Sequence, residues 1–198
     1  MKKILLSIIA VSLSLSAFSQ VEWGVKAGLN LADISNIDKI FEEGSPSSKM
    51  KPSFHIGAFA DIRLNDFLSF QPELMYSRQG SFFKAGDEKL WIQFNYINLP
   101  LILKLYVTED LSVNVGPQFG FVTDAKEKYK FDGSTETEDY DAYEDLDVSV
   151  AMGLSYNICR NIDVYARYNL GLTAMNSNGK DEVKLKNGVI QIGVGYRF

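Results

Sequence analysis

Residues 23–31 read WGVKAGLNL, and this stretch decides the fold. One set of alternate positions carries Trp, Val, Ala, Leu and Leu, and the other carries Gly, Lys, Gly and Asn. Only an extended strand sorts such a sequence into two faces, because successive side chains of a strand point to opposite sides. The same alternation recurs in seven later segments, at 54–64, 68–77, 91–105, 111–121, 148–156, 162–172 and 190–198. The sequence therefore predicts an all-β domain of eight strands.

The links between these segments alternate in length. Long links are expected at about 32–51, 80–90, 123–147 and 174–185, and short ones at 65–66, 108–110 and 157–161. In an up-and-down meander every second link lies at the same end, so the four long links share one end. Short periplasmic turns and longer extracellular loops are typical of outer-membrane barrels, and an even strand count leaves no unpaired edge in hydrocarbon. We expect an eight-stranded antiparallel up-and-down transmembrane β-barrel.

Alternation alone leaves open which face is outward. A soluble lipocalin-like barrel would line a cavity with the apolar face and expose the polar one to water. The polar face here is dominated by Gly, Ser, Asn and Gln, which suits a narrow filled lumen, and aromatic residues near the strand ends suit a membrane interface. The few charges on the polar face have both signs and are predicted to neutralise one another as a lumenal polar network. They are Lys26, Asp61, Arg63, Glu73, Lys104, Asp163, Arg167 and Arg197.

The N-terminus has the pattern of a secretory signal peptide. Residues 1–3 are a basic start, residues 4–15 are an apolar run broken by serines, and residues 17–19 form a small-x-small cleavage site. The alternative is an anchoring helix, but about 20 apolar residues are needed to span a bilayer. We expect residues 1–19 to be removed, which leaves 20–198 as one outer-membrane β-barrel domain.

The composition excludes several classes of protein. The chain has one Cys and one His, so neither a disulfide nor a Cys/His zinc cage can form within it. His55 lies on the polar face outside any nucleophile motif and is expected to be a hydrogen bonder of the lumen or rim, and Cys159 falls in a short turn. A formal charge of −5 disfavours nucleic-acid binding. We therefore expect no enzyme activity, no cofactor and no resident metal.

The acidity is concentrated in residues 124–147, which hold ten acidic residues and three lysines. Within this expected extracellular loop, carboxylates alternate with tyrosines. The acidic positions singled out are Asp139, Asp141, Glu144 and Asp145. A solvated, self-repelling loop is the simpler interpretation, and a cation-bridged or partner-binding surface is the functional alternative, although the spacing does not match an EF-hand.

The last strand ends on an aromatic residue. Val194, Tyr196 and Phe198 lie on one face, and Phe198 is the last residue of the sequence. This ending resembles the C-terminal signal by which the barrel-assembly machinery recognises its clients, and it predicts that machinery as a partner. A strand that merely ends on apolar residues is the alternative.

Six motifs in order resemble one known family. They are GVKAGLN at 24–30, FQPELMYS at 70–77, NLPLILK at 98–104, GPQ at 116–118, ARYNLGL at 166–172 and GVGYRF at 193–198. Together they are similar to the PorT-like outer-membrane β-barrel domain family of Gram-negative bacteria. The resemblance covers essentially the whole chain after the signal segment and implies the fold and an integral outer-membrane location.

These observations lead to one expected function and one alternative. We expect a non-enzymatic outer-membrane protein that displays extracellular loops and supports the envelope or surface interactions. The alternative is an accessory subunit of an outer-membrane secretion or uptake complex, which the resemblance permits. An eight-stranded barrel is filled by its own side chains, which disfavours an open channel. The expected partners are outer-membrane lipid, lipopolysaccharide and an envelope or secretion-complex protein.

Overall fold

The computed structural model of the protein describes residues 21–35, 49–85, 88–131, 134–139, 146–173 and 186–198. The described chain is built from strands joined into one sheet. The strands are β1 (Val21–Ser35), β2 (Lys49–Asn65), β3 (Leu68–Ala85), β4 (Glu88–Tyr106), β5 (Leu111–Phe131), β6 (Ser134–Asp139), β7 (Leu146–Asn157), β8 (Ile162–Gly171) and β9 (Lys186–Arg197). The expected signal segment, residues 1–19, lies outside the described residues.

The sheet closes on itself as a barrel. Its strand order is β4-β3-β2-β1-β9-β8-β7-β5, and β4 also pairs with β5. All the pairings are antiparallel, and β1 pairs with β9 to join the two ends of the chain. β6 and β7 pair with successive parts of β5, so they share one position in the barrel. The prediction of a closed eight-stranded antiparallel β-barrel is confirmed.

The barrel is polar inside and apolar outside. Lys26 is 2% exposed although it is charged, whereas Leu29, on the other face of the same strand, is 60% exposed. The outward face carries the exposed aliphatic residues of every barrel strand, among them Val25, Ile56, Leu74, Leu103, Val115, Leu154, Leu170 and Ile192. A water-soluble barrel would bury this face, because burial of apolar surface drives folding in water. The lipocalin-like alternative is therefore excluded by the burial pattern.

The strands differ in length more than the sequence indicates. β8 has 10 residues, which at about 3.3 Å each and a tilt near 40° cover roughly the 25 Å apolar band of such barrels. β3, β4 and β5 have 18, 19 and 21 residues and continue past that band. The expectation of a long loop at 80–90 is wrong for most of its length, because β3 and β4 stay paired as far as Ala85 and Glu88.

Three short connections lie at the opposite end from these extensions. They occupy residues 66–67, 107–110 and 158–161, close to the positions predicted for the short links. We call this end of the barrel the short-turn end and the other the long-loop end. Among the residues that the structure describes, no helix is long and apolar enough to cross a membrane.

Candidate functional site

The centre of the lumen holds an ion triad of Lys26, Glu73 and Arg167. Lys26 donates from Nζ to Oε1 of Glu73 at 3.0 Å. Arg167 binds the same carboxylate with both terminal nitrogens, Nη1 to Oε2 at 2.9 Å and Nη2 to Oε1 at 2.8 Å. All three side chains are buried. Charge-assisted, bidentate pairs of this kind are the strong hydrogen bonds of proteins, so the triad ties its three strands firmly together.

The triad crosses the whole barrel. Glu73 lies on β3 and Arg167 on β8, which are four positions apart around the eight-position ring and therefore opposite each other. Gln71 adds a hydrogen bond to Glu73, Nε2 to Oε1 at 2.6 Å. The Lys26 ammonium lies 4.6 Å from the ring centre of Tyr165 and 5.1 Å from that of Phe59, which are cation–π contacts. Aromatic rings and the ion triad thus fill the middle of the lumen.

A second cluster surrounds His55 toward the long-loop end. His55 Nδ1 is 2.6 Å from Asn30 Oδ1, and its Nε2 is hydrogen-bonded to the Tyr165 hydroxyl. Gln191 donates from Nε2 to the same Asn30 oxygen at 2.9 Å. The contacts of this imidazole are an amide and a phenol, as expected for a lumenal hydrogen bonder.

Glycines on the lumenal face make room for these clusters. A Cβ atom on Gly193 would lie 2.6 Å from the Tyr165 hydroxyl and 2.6 Å from the Ala27 carbonyl oxygen. Real side chains do not approach this closely, because interiors are packed at van der Waals distances. The small residues of the alternating pattern are therefore needed where large polar side chains cross the lumen.

Two further groups of ion pairs lie toward the short-turn end. Lys104 Nζ is 3.3 Å from Asp61 Oδ2, and both side chains are buried. Arg197 lies 3.7 Å from Glu22 and 3.9 Å from Asp163, and its Nη2 donates to Asn157 Oδ1 at 2.6 Å. The structure thus places seven of the predicted lumenal charges in three groups rather than in one continuous network.

Arg63 does not belong to any of these three groups. It lies at the end of β2, where it donates to the backbone carbonyls of Asn65 at 3.1 Å and Asp66 at 2.9 Å. Its guanidinium lies 4.0 Å from the ring centre of Tyr106. Its position at the last residues of a strand places it on the rim, so its contacts hold the first short turn.

A cavity of about 730 Å³ opens at the short-turn end. Its lining includes side chains of both charge signs, among them Asp61, Arg63, Glu109, Arg160 and Arg197, and the exposed Cys159. The cavity is the mouth of the lumen beneath the Lys104–Asp61 pair. Within the described residues, no three His, Cys, Asp or Glu side chains are grouped so as to hold a metal ion.

The predicted assembly residues lie together on the outward face of β9. Val194, Tyr196 and Phe198 are all exposed, and the rings of Tyr196 and Phe198 meet edge to face with 5.7 Å between their centres. Phe198 also donates its backbone N–H to the carbonyl of Trp23 at 3.0 Å, which fixes the end of the chain to β1. Their recognition by an assembly machinery stays a prediction.

Of the four acidic positions singled out in the predicted loop, the described residues contain Asp139 alone. It ends β6 and is the register partner of Lys126 on β5. The other three positions, Asp141, Glu144 and Asp145, lie outside the described residues. Cation binding by this loop is therefore still an expectation from the sequence.

Sequence reasoning missed four members of the lumenal clusters as site residues. Asn30, Gln71, Tyr165 and Gln191 all lie on the polar face that the alternation defines. The sequence feature that could have identified them is a long polar or aromatic side chain among the glycines and serines of the polar face, because such side chains fill the lumen.

Comparisons with known proteins agree with this architecture. A family model described as outer membrane protein beta-barrel domain matches residues 14–177. Ail, the attachment invasion locus protein of Yersinia pestis, superposes with a TM-score of 0.53 at 17% identity, over 90% of this chain and 99% of that chain. Neisserial surface protein A superposes with a TM-score of 0.51 at 19% identity, over 90% and 97%. A search of curated proteins found no match.

The matched region of the family model covers more than half of the chain, and the apolar outward face requires lipid around it. The structural neighbours at this low identity support the fold alone. The protein is an integral component of the bacterial outer membrane, and its chain belongs to the family of outer membrane protein beta-barrel domains.

Proposed function

We propose that this chain is a non-enzymatic barrel that holds its long-loop end rigidly at the cell surface for contacts with other envelope components. The observation that carries the proposal is the triad that joins opposite strands through Glu73, because it leaves no wide path along the lumen. The extension of β3, β4 and β5 past the apolar band supports it, since these strands present structured surface outside the membrane.

The remaining parts of the proposal come from the sequence. Residues 1–19 act as a signal peptide, and the residues Val194, Tyr196 and Phe198 address the chain to the barrel-assembly machinery. The finer PorT-like assignment rests on the six motifs and is part of this proposal, as are lipopolysaccharide and an envelope protein as partners. The acidic positions Asp139, Asp141, Glu144 and Asp145 serve as a partner-binding or solvated surface.

A second candidate is an accessory subunit of a secretion or uptake complex. The cavity of about 730 Å³ at the short-turn end favours it, because a charged, open mouth offers a surface on the periplasmic side. The two candidates differ in the end of the barrel that they use.

Affinity purification of the full chain from native membranes in mild detergent tests both candidates. One variant replaces residues 82–89 by a two-residue turn, and its matched control replaces exposed residues of the turn 158–161 by alanine. We expect a stoichiometric partner to be lost from the first variant and kept by the control. If the partner is lost only from the protein altered in the turn 158–161, the result favours the accessory subunit. Copurification unaffected by either variant contradicts both candidates.

A further inference from the structure

The cavity at the short-turn end has opposite charges on opposite sides. In the ring order of the barrel, β9 is four positions from β4 and β2 is four positions from β7, so these strands are opposite each other. Arg197 of β9 therefore lies across the mouth from Glu109 and Asp110, which follow β4 in the second short turn. Asp66, which follows β2, lies across from Arg160, which follows β7. The two arginines share one side of the mouth, and the three acidic residues share the other.

Two further charged residues of the cavity are already partnered within the protein. Asp61 is 3.3 Å from the buried ammonium group of Lys104. Arg63 donates to two backbone carbonyls at the end of β2, and its guanidinium lies over the Tyr106 ring. The charged side chains that remain to receive a ligand are Arg160 and Arg197 on one side, and Asp66, Glu109 and Asp110 on the other.

Arg197 is a buried cation whose hydrogen-bond donors are mostly unused. The residue is 7% exposed, and its guanidinium makes one hydrogen bond to a described residue, the neutral amide of Asn157. Its Nε is buried and has no hydrogen-bond partner among the described residues. The carboxylates of Glu22 and Asp163 are 3.7 and 3.9 Å away, which is beyond the distance of a hydrogen bond. The Glu22 side chain is also half-exposed, so water weakens its attraction.

Arg167 shows how a fully paired guanidinium is held in the same lumen. It binds Glu73 through hydrogen bonds of 2.9 and 2.8 Å, whereas no carboxylate of the described residues comes within that distance of Arg197. A guanidinium offers five N–H donors in a fixed fork that matches a carboxylate, and a buried charge is costly without such a partner. Arg197 is therefore the group of this cavity that is best suited to bind the carboxylate of a ligand.

The distance between the two charged sides suits a short peptide. Eight strands about 4.8 Å apart and tilted by about 40° close into a barrel roughly 16 Å across between opposite backbones. Long side chains reach inward from both sides, which leaves a gap of roughly 10 Å, and an extended chain covers about 3.3 Å per residue, so about three residues bridge it. The cavity volume of about 730 Å³ lies within the usual range of small-ligand sites.

We propose that the cavity at the short-turn end binds a short free peptide of about three residues as a zwitterion, with its terminal carboxylate against Arg197 and its terminal ammonium group against Glu109 and Asp110. A ligand of one charge sign would meet like charge on one side of the mouth. The short-turn end is periplasmic in barrels of this kind, so the ligand is a peptide of the periplasm. The inference goes beyond the proposed function, since it does not depend on the long-loop end or on a protein partner.

The test uses triglycine as the probe and the full mature chain refolded in uncharged detergent micelles, with binding measured by isothermal titration calorimetry. Triglycine amide lacks the carboxylate, and we expect it to bind roughly tenfold more weakly because Arg197 then has no anionic partner. N-acetyl-triglycine lacks the ammonium group, and we expect a loss of about threefold, since Glu109 and Asp110 are exposed and screened by water. Free glycine is too short to reach both sides and is expected to bind about tenfold more weakly than triglycine.

Matched variants assign each end of the peptide to its side of the cavity. Arg197→Gln is expected to bind triglycine about tenfold more weakly and to lose the distinction between triglycine and its amide. Glu109→Gln with Asp110→Asn is expected to lose the distinction between triglycine and the acetylated peptide. The control Arg78→Gln removes the same charge on β3, toward the long-loop end, and is expected to stay within about twofold.

Equal affinities of the unaltered protein for triglycine and its amide would overturn the proposal, and this comparison holds even if Arg197→Gln does not fold. Equal affinities for triglycine and N-acetyl-triglycine would also overturn it, because the cavity would then bind a carboxylate alone, as at the C-terminal tail of a protein. An equal loss in Arg78→Gln would have the same consequence. Heat-modifiable migration checks that each variant is folded. The partner purification described above tests the proposed function separately, so a protein that keeps its partner but does not bind triglycine contradicts the peptide site alone.

Discussion

Glu73 is the residue on which the centre of the lumen depends. Its carboxylate accepts hydrogen bonds from Lys26, Arg167 and Gln71, and it joins strands on opposite sides of the barrel. The alternation in the sequence assigns each of these residues to the polar face. The alternation does not show which of these residues contact each other. The contact between β3 and β8 depends on how far each strand is shifted relative to its neighbour around the whole barrel, and no local sequence pattern contains these shifts.

The change Glu73→Gln tests the triad. The amide leaves two buried cations without a counter-charge, and removal of one partner of a buried pair costs about 3 to 5 kcal/mol. We expect the free energy of unfolding, measured by urea denaturation in phosphatidylcholine vesicles, to fall by about 3 kcal/mol.

The matched control for this change is Glu22→Gln. The Glu22 side chain is 51% exposed and lies 3.7 Å from Arg197, so the loss there is expected to stay below about 1 kcal/mol. Equal effects of the two changes would contradict a structural role of the triad.

At the scale of elements, the observed strands match the segments predicted from the sequence wherever one face of the strand meets lipid. Segments such as 111–121 and 162–172 alternate strictly, and β5 and β8 cover them almost entirely. The prediction fails at 80–90 and in much of 123–147, where β3, β4, β5 and β6 continue. Neither face of these extensions meets hydrocarbon, so their sequence does not need to alternate between apolar and polar residues, and cross-strand pairing holds them instead.

Deletion of Phe198 tests the role of the last strand. Phe198 is 76% exposed beside Tyr196 on the outward face of β9. If the assembly machinery reads this ending, the amount of folded, heat-modifiable protein in the outer-membrane fraction is expected to fall severalfold. Refolding of the purified chain into vesicles, where no machinery is present, is expected to be nearly normal.

The control for this deletion is Phe67→Ala. Phe67 is an apolar residue of the short-turn end with a similar exposure of 61%, but it lies far from the C-terminus in sequence. Its substitution is expected to leave the amount of folded protein unchanged. Normal assembly without Phe198 would show that the ending is only a strand that happens to be apolar.

At the scale of the whole molecule, the filled lumen predicts that the protein does not conduct freely. The ion triad, the His55 cluster and the Lys104–Asp61 pair lie at different heights of one narrow barrel. In planar bilayers we expect no steady, large conductance from the purified protein. A stable open channel of porin size would show that the lumen is not closed by these side chains.

The feature of the whole molecule that the sequence predicted best is its distribution of polarity, with polar residues inside the barrel and apolar residues outside. The eight segments each give one apolar and one polar face, and the small size of the polar residues indicates which face is enclosed. The division of the lumenal charges into three separate groups was not predicted, because alternation gives the face of each residue but not its height relative to residues on distant strands.

The most direct test of the account is the environment of the outward face in a bilayer. Single nitroxide labels at Leu29, Leu103 and Ile192, in a Cys159→Ser background, report collision with oxygen, which concentrates in hydrocarbon, and with a water-soluble nickel chelate. A label at Glu109 in an exposed short turn is the control. The account predicts that the three outward labels collide mainly with oxygen and the control label mainly with nickel. Outward labels that collide mainly with nickel would contradict the contact between this face and lipid.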